Sequence, residues 1–295
     1  MQAPGRSPGI GGWLAPSSQS SSGGWAELFF RKNLMKLTDK TILITGASQG
    51  IGAAAARAFA AYPVKLALVA RSQSLLTDLA DELNQKPDVT ATPIVADVSD
   101  PAAIGQVVVQ TRAALGPIDI LVNNAGVGMS SPVGDFDIAT ARALFDLNFW
   151  GAIQMVHAVL PEMRQRQDGL IINISSIVGR RAMPGIGVYC ASKFALNAFS
   201  ESIRVELQPD HVRVVSFYPG VTATHFGDNL LTGPSQSQGR LKATPAEVVG
   251  KAIVRAARKE PRDAYATLFD RIFVMAATLA PGLMDSLLGR HFRSK

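Results

Sequence analysis

The sequence predicts an α/β fold in which one parallel, doubly wound sheet forms a single domain. Apolar runs rich in β-branched residues recur about every 25 to 45 residues, and helical patterns separate them. The first of these runs passes directly into a glycine-rich turn and then into an alanine-rich helix. With 295 residues, 47% hydrophobic and 18% charged, the chain is long enough to bury one sizeable core.

The first predicted unit is a strand, a glycine turn and a helix. The strand covers Thr41–Thr45, and after the turn comes the segment Ala53–Ala60, which has high helix propensity. Gly46 allows a tight turn, Gly50 lets the backbone approach a pyrophosphate, and Gly52 permits close packing of helix on strand. This arrangement presents backbone amides and a helix N-terminus to a phosphate, so it predicts a dinucleotide site.

The end of the second predicted strand, Val64–Ala70, bears on the choice of cofactor. A carboxylate at this point would bind the ribose diol of NAD and repel a 2′-phosphate. The chain instead has Ala70, Arg71 and Ser72, and a cation with a hydroxyl suits the phosphate. NADP(H) is therefore favoured and NAD(H) remains possible, because Arg71 can also be a solvated charge at a strand end.

Two further strand ends supply polar or small residues after the predicted helix 74–85. The third strand, Thr92–Ala96, is followed by Asp97 and Val98, and Asp97 can accept from an adenine amino group or cap the next helix together with Asp100. A helix over 101–115 and a strand over 118–122 come next. The small residues of the run 123–126 would let a cofactor lie against the backbone.

A second group of candidates lies on two predicted helices and at the end of one predicted strand. Tyr189 and Lys193 stand four apart and so share one helical face, where the cation is expected to lower the pKa of the phenol. Ser176 lies 13 residues upstream at the end of an apolar run, and a Ser–Tyr pair can grip the oxygen of a carbonyl or an alcohol. Asn148, inside the helical pattern Ile138–Met163, is unfavourable unless it has a role, and the alternative role is a structural hydrogen bond that kinks the helix.

The last third of the chain predicts one more long strand, a lid and a tail. Val212–Tyr218 is the strand, and the segment from Thr222 to about Lys242 is a candidate lid over the substrate. A helix is expected over Pro245–Arg258 and a short strand over Tyr265–Phe269. Arg180 and Arg181 follow the serine as an exposed pair that could also meet an anionic substrate.

The tail carries an apolar run and most of the net charge. Residues 272–284 are uncharged, too few to span a bilayer and interrupted by Pro281 and Gly282. Three interpretations remain open, in this order: a helix that closes the substrate pocket, a subunit interface, and a basic amphipathic membrane contact. The net charge is +6, and residues 240–295 hold 11 basic and 5 acidic side chains.

Composition gives domain boundaries and excludes several classes of protein. Residues 1–34 are predicted to be a disordered Gly/Ser/Pro-rich arm, 35–262 the dinucleotide-binding domain, and 263–295 a basic, apolar extension on or near the substrate site. The single cysteine, Cys190, allows no internal disulfide, which fits a cytoplasmic protein with possible membrane association. The sequence has no metal-site spacing and no nucleic-acid-binding motif.

Taken together, these motifs resemble those of the classical short-chain dehydrogenase/reductase family over about residues 38–260. The resemblance implies a Rossmann-type fold and a homodimer or homotetramer that acts on a small carbonyl or alcohol. The motif positions are Thr45, Gly46, Gly50, Ile51, Gly52, Asp97, Asn123, Asn124, Ala125, Gly126, Asn148, Ser176, Tyr189, Lys193, Pro219, Gly220 and Thr224.

The resemblance also implies a role for each catalytic residue. Tyr189 would be the general acid in reduction or the base in oxidation, and Lys193 would lower its pKa and bind the nicotinamide ribose. Ser176 would hold the substrate oxygen, and Asn148 would support a water chain that re-protonates Tyr189. The cofactor-binding residues would be Gly46, Ser48, Gln49, Gly50, Ile51, Arg71, Ser72, Asp97, Val98, Asn124, Ala125, Gly126, Tyr189, Lys193, Pro219, Gly220, Thr222 and Thr224. Gln49 replaces a basic residue that often assists NADP binding.

Two functions are compatible with these residues. One is an NADP(H)-dependent oxidoreductase that converts a ketone or aldehyde to an alcohol, or the reverse, on a lipophilic substrate. The other is a non-catalytic NADP(H)-binding regulatory or scaffold protein, which the fold alone does not exclude. The presence of all four catalytic residue types favours the enzyme.

Overall fold

The computed structural model describes residues 34–227, 229–233 and 243–293, with the backbone alone for 225 and 291–293. The predicted arm lies outside the described residues except for Leu34. Residue 228 and residues 234–242 of the predicted lid also lie outside them.

A seven-stranded sheet forms the centre of the molecule, and every neighbouring pair of strands in it is parallel. The strand order is β3-β2-β1-β4-β5-β6-β9, which reverses direction beside β1 and confirms the predicted doubly wound fold. Strands β1, β4 and β5 are almost wholly buried, as expected for a sheet covered on both faces. The strands are β1 (Lys40–Thr45), β2 (Val64–Ala70), β3 (Val89–Val95), β4 (Ile120–Asn123), β5 (Gly169–Ile174), β6 (Val212–Tyr218) and β9 (Asp263–Tyr265), with β7 (Thr222–Ala223) and β8 (Thr244–Pro245) in a separate pair.

Helices cover both faces of the sheet and divide the core into two layers. Apolar side chains of α1, α2 and α7 form one buried cluster with the sheet, and those of α3, α5 and α6 form the other. The helices are α1 (Gly50–Phe59), α2 (Gln73–Asn84), α3 (Pro101–Leu115), α4 (Ile138–Phe145), α5 (Ala152–Arg166), α6 (Gly187–Glu206), α7 (Ala246–Lys259), α8 (Leu268–Leu279) and α9 (Pro281–Arg293). Short 3₁₀ turns occupy Ile177–Gly179 and His225–Gly227.

The predicted helix around Asn148 is interrupted at that residue. Between α4 and α5 the chain forms a π-helical turn, Asp146–Gly151. A π turn holds one residue more than an α turn and often marks a functional position. By length and composition alone the whole segment, Ile138–Arg166, could cross a membrane, but α5 packs Met155, Val159 and Met163 into the core.

The C-terminal region differs from the prediction. The predicted strand at Tyr265–Phe269 is wrong in position, because β9 ends at Tyr265 and α8 begins at Leu268. Thr267 starts the helix through a capping box: its hydroxyl accepts from the backbone of Asp270, whose carboxylate accepts from the backbone of Thr267. At Pro281 the chain turns by 109° between α8 and α9.

Candidate active site

The carboxyl ends of β1, β4, β5 and β6 meet at one edge of the sheet, as parallel strands require. β1 leads into the glycine turn, β4 into Asn124, β5 into Ser176 and β6 into Pro219. Helix α6 and the π turn add Tyr189, Lys193 and Asn148 at the same edge, which gathers the predicted candidates around one cleft.

The glycine turn is held in a conformation that only glycine adopts easily. Gly46 and Gly50 have φ angles of +65° and +59°. A Cβ on Gly46 would lie 2.9 Å from the Cα of Ala125, and a Cβ on Gly52 would collide with the carbonyl of Gly46. The turn is therefore a cradle with no room for side chains at its glycines, while Ser48 beside them is partly buried and Gln49 is exposed.

Asn124 ties the end of β4 to this cradle. Its side-chain amide donates to the carbonyl of Thr45 at 2.9 Å and to that of Gly46 at 3.1 Å. In return, the Thr45 hydroxyl accepts from the backbone amides of Asn124 and Ala125, each at 3.0 Å. Thr45 therefore has a positioning role that the sequence interpretation did not assign, although a hydroxyl at the end of a buried strand was a visible signal.

Asn148 is 1% exposed and fully engaged. Its Oδ1 accepts from the backbone amide of Val127 at 2.8 Å. Its Nδ2 donates to the carbonyl of Val127 at 2.9 Å and to Ser192 Oγ at 3.2 Å. The predicted structural role is therefore present, and it also ties the segment after β4 to helix α6 at the cleft.

Lys193 is a buried cation, 4% exposed, and its Nζ donates to the carbonyl of Ile174 at 3.0 Å. Burial lowers the pKa of Lys193 to about 8. A Cβ added to Gly126 would lie 2.9 Å from Asn148 Oδ1 and 3.5 Å from Lys193 Nζ. The amide and the ammonium group therefore flank the same glycine of the β4 segment.

Tyr189 and Ser176 form the second half of the cluster. Ser176 is 9% exposed. Its hydroxyl donates to the carbonyl of Pro219 at 3.5 Å and accepts from the backbone amide of Val178 at 3.3 Å. Burial raises the pKa of Tyr189 well above its usual value, and the hydrogen bond with Ser176 offsets this only in part. The expected lowering by Lys193 is wrong for this geometry, because burial dominates and the Lys193 Nζ lies 6.0 Å from the phenol ring centroid.

Arg71, expected to select the cofactor, lies against Asp97, expected to bind its adenine or to cap a helix. Arg71 has a side chain 70% exposed and lies 3.6 Å from a carboxylate oxygen of Asp97. Burial raises the pKa of Asp97, but hydrogen bonds from Ser99 and the charge of Arg71 outweigh burial and hold it below its usual value. Capping of α3 falls to Asp100 alone, which accepts from Ala102 at 3.0 Å, and Ser72 precedes α2 without a capping bond from its side chain.

Four further predicted positions lie at this edge of the sheet and differ in their exposure. The side chain of Val98 is buried in the core, and its carbonyl lies against Gly151 of the π turn, so only its backbone is available to a ligand. Ile51 is partly buried against the core. The Thr222 hydroxyl donates to the carbonyl of Gly220 at 3.1 Å, and Thr224 lies over Gly50, 3.3 Å from where a Cβ would be.

The described part of the predicted lid closes over the cleft from the β6 side. Leu231 donates from its backbone to Gly128 at 3.0 Å, and Ser130 donates in the same way to Thr232 at 3.0 Å. The Phe226 ring lies 5.7 Å from the Tyr189 ring, centroid to centroid. Sequence interpretation missed this contact, since nothing local links two rings on separate segments.

Arg180 and Arg181, considered above for an anionic substrate, are engaged within the protein. Arg180 lies 3.1 Å from Glu201 and 3.2 Å from Asp263. Arg181 forms an ion pair with Asp285 of α9. Neither side chain is therefore aimed at a substrate in this structure.

The residues around the cleft fit a dinucleotide. The cradle at Gly46, Gly50 and Gly52 leaves bare backbone beside the N-terminus of α1, where a pyrophosphate is best stabilised. The exposed cation Arg71 stands at the end of β2 beside this cradle. The residues present are therefore suited to hold a nicotinamide dinucleotide across the edge of the sheet.

Comparison with known proteins decides the family. The short chain dehydrogenase family model matches residues 40–234. The chain belongs to the short-chain dehydrogenase/reductase family. This is a family of NAD(P)-dependent oxidoreductases, and membership implies a small-molecule substrate and a nucleotide cofactor.

Individual members of the short-chain dehydrogenase/reductase family agree in fold and differ in cofactor. The mouse protein Dehydrogenase/reductase SDR family member 7B is 30% identical over 88% of this chain and 83% of its own length. The fission yeast (Schizosaccharomyces pombe) NADP-dependent 3-hydroxy acid dehydrogenase is 34% identical over 77% of this chain and 90% of its own. A Burkholderia phymatum short-chain dehydrogenase/reductase solved in complex with NAD superposes with a TM-score of 0.75 at 22% identity, over 85% of this chain and 97% of that one.

Proposed function

We propose that the protein is an NADP(H)-dependent oxidoreductase that interconverts a ketone or aldehyde and an alcohol on a lipophilic substrate. The observation that carries the proposal is the meeting of Asn148, Ser176, Tyr189 and Lys193 beside the glycine cradle. NADP(H), when bound, would supply or accept the hydride.

Ser176 and Tyr189 are the groups that hold the substrate oxygen. The Ser176 hydroxyl lies at the end of β5 and interacts with the phenol of Tyr189, which brings the two hydroxyls to the same part of the cleft. The raised pKa of Tyr189 keeps the phenol protonated at neutral pH. In this geometry Tyr189 is a proton donor to the oxygen of a carbonyl that is being reduced, which favours reduction as the direction.

Lys193 and Asn148 are the groups behind the phenol. The ammonium of Lys193 would bind the nicotinamide ribose and supply the proton that restores the phenol of Tyr189 after proton transfer. Asn148 holds the β4 segment against α6 through Val127 and Ser192, and it would support the water chain that returns the proton. A pKa near 8 leaves Lys193 able to pass a proton in the neutral range.

The lipophilic substrate class follows from the side chains at the lid. The Phe226 ring faces the ring of Tyr189, and both Phe226 and Leu230 close on Gly128, where any Cβ would collide with them. Met129, beside them in the chain, is 2% exposed. These groups offer apolar surface beside the phenol, and the described lid residues around them supply no charged side chain.

NADP(H) preference is the first point to test, by titrating NADPH and NADH into the purified protein. The exposed guanidinium of Arg71 can bind a 2′-phosphate, and a charge-assisted contact is worth ~1.5–3 kcal/mol, roughly tenfold to a hundredfold in affinity. Arg71→Asp should weaken NADPH by this factor and leave NADH almost unchanged. The fission yeast relative, an NADP-dependent enzyme by name, supports this expectation.

The matched control is Arg112→Asp, an exposed arginine on α3 that pairs with Glu162 and should leave both affinities unchanged. Preference of the unmodified protein for NADH would mean that Arg71 is only a solvated charge. Binding of neither nucleotide by a folded protein would favour the scaffold function instead.

A further inference from the structure

Six large apolar side chains form an exposed stripe along the two C-terminal helices. On α8 the spacing of its members is 4, 3 and 4 residues, so they share one helical face. Their exposed fractions reach 71% at Leu268 and 81% at Leu279 on α8, and 64% at Leu283 on α9. This outer stripe consists of Leu268, Ile272, Met275, Leu279, Leu283 and Leu287.

Helix α8 exposes its large apolar side chains to solvent, which a helix that only packs against the core would not do. Its buried positions are the carboxylate Asp270 and the smaller residues Val274 and Ala277. Its largest aliphatic side chains point away from the protein instead, although burial of each would be worth ~1.5–3 kcal/mol. Large apolar side chains exposed along one helical face indicate a binding surface rather than scattered surface residues.

The stripe is held beside the cleft at two points. Asp270 lies against Gly220 after β6, where an added Cβ would collide with the carboxylate. Asp285 of α9 forms an ion pair with Arg181, five residues after Ser176. Both helices are therefore attached to segments that lead directly from the residues of the proposed active site.

The charges around the stripe complement an anionic surface. No charged residue occurs between Ile272 and Met284. Arg271 and Arg290, both exposed, flank the apolar run, whereas the acidic residues of the two helices are engaged within the protein, Asp270 by burial and Asp285 by its pair with Arg181. Two copies of this chain would bring like charges together, and the 109° bend at Pro281 breaks the straight seam that helix pairing favours.

We propose that the outer stripe binds an anionic membrane surface, with α8 and α9 lying in the plane of the interface. Amphipathic helices of this type bury their apolar face ~5–10 Å into the headgroup boundary, and anionic lipids add attraction to the basic residues. The attachments at Gly220 and Arg181 then bring the cleft close to the bilayer. A lipophilic substrate could reach the cleft from the membrane without passing through water.

Flotation with lipid vesicles tests this proposal on the full-length protein. Wild-type protein should float with phosphatidylcholine vesicles that contain phosphatidylglycerol, and less with phosphatidylcholine alone. Ile272→Glu/Leu279→Glu places two carboxylates on the stripe at positions 54% and 81% exposed and should reduce the bound fraction at least tenfold. Val109→Glu/Val205→Glu is the matched control, because it adds the same two carboxylates away from the stripe, at positions 64% and 65% exposed on α3 and α6. It should bind vesicles like wild type.

Three results would overturn the proposal. The first is that wild-type protein does not bind anionic vesicles, and the second is that both double variants lose binding equally. The third is that wild-type protein and the stripe variant both fail to bind vesicles, while wild-type protein is an oligomer and the stripe variant is not. The last result would assign the stripe to a second copy of the chain. Sedimentation without lipid provides that measurement, and neither experiment requires turnover, so failure here is distinct from failure of the proposed reaction.

Discussion

Two regions of the molecule differ in which groups they bury. The carboxyl edge of the sheet buries polar groups, whereas helices α8 and α9 expose apolar ones. At the edge, Asn148 and Lys193 are withdrawn from water, and each has protein hydrogen-bond partners. On α8, Leu268 and Leu279 are left in solvent while Asp270 is buried. A buried amide or cation is tolerated only when it is paired, and an exposed leucine stripe is costly only until a partner covers it. The polar groups of the first region find their hydrogen-bond partners within the chain, whereas the apolar stripe of the second would be covered by the membrane proposed above.

The largest effect is expected at the first region from Tyr189→Phe. Loss of the proton donor should reduce turnover by roughly 10²–10⁴, with little change in NADPH affinity or stability. Steady-state kinetics with a carbonyl panel and a separate fluorescence titration of NADPH measure the two quantities. Tyr62→Phe is the control, because the Tyr62 hydroxyl contacts Arg258 and takes no part in the cleft. Turnover that survives Tyr189→Phe would contradict the assignment of the acid.

An intermediate effect is expected from pH. Burial holds the pKa of Lys193 at about 8, so its ammonium form is present below that pH and lost above it. The rate of reduction should therefore fall as pH rises through about 8, by about tenfold per unit beyond it, because the neutral amine can no longer return a proton to Tyr189. The pH–rate profile provides the measurement.

Lys193→Met supplies the control for the pH profile. It removes the titrating group, so most of the rate and the inflection near pH 8 should disappear together. If the inflection remained at the same pH in this variant, another group would be its origin.

The smallest effect is expected at the second region from Asp285→Asn. The Arg181 partner is mostly covered but the Asp285 side chain is 71% exposed, so loss of the ion pair should cost at most ~1 kcal/mol. Hydrogen exchange should become faster in residues 281–290 and stay unchanged near Ser176. Glu82→Gln, which breaks the exposed pair with Arg57, is the control and should leave α9 unaffected. Faster exchange throughout the sheet would show that the pair supports the fold as a whole.

Local chemistry explains which features the sequence could predict. A strand that runs into Gly46, Gly50 and Gly52 has one common structural solution, and parallel topology then brings Ser176 and Tyr189 to the same edge. The strand predicted at Tyr265–Phe269 was wrong although Thr267 and Asp270 have the spacing of a capping box, a signal that could have located α8. Other contacts join segments that are distant in sequence, and no local pattern encodes them. They are the contact of Phe226 with Tyr189, the hydrogen bond from Leu231 to Gly128 and the Arg181–Asp285 ion pair.

The π turn at Asp146–Gly151 has a consequence for how this chain can change length. Deletion of one residue there would convert the turn to α-helix, because a π turn holds one residue more than an α turn. Asn148, which lies inside the turn, would then lose its hydrogen bonds with Val127. Insertions and deletions should therefore be excluded from this stretch over evolutionary time, even though both ends of the long helix reach solvent, whereas the surface turns elsewhere can absorb them.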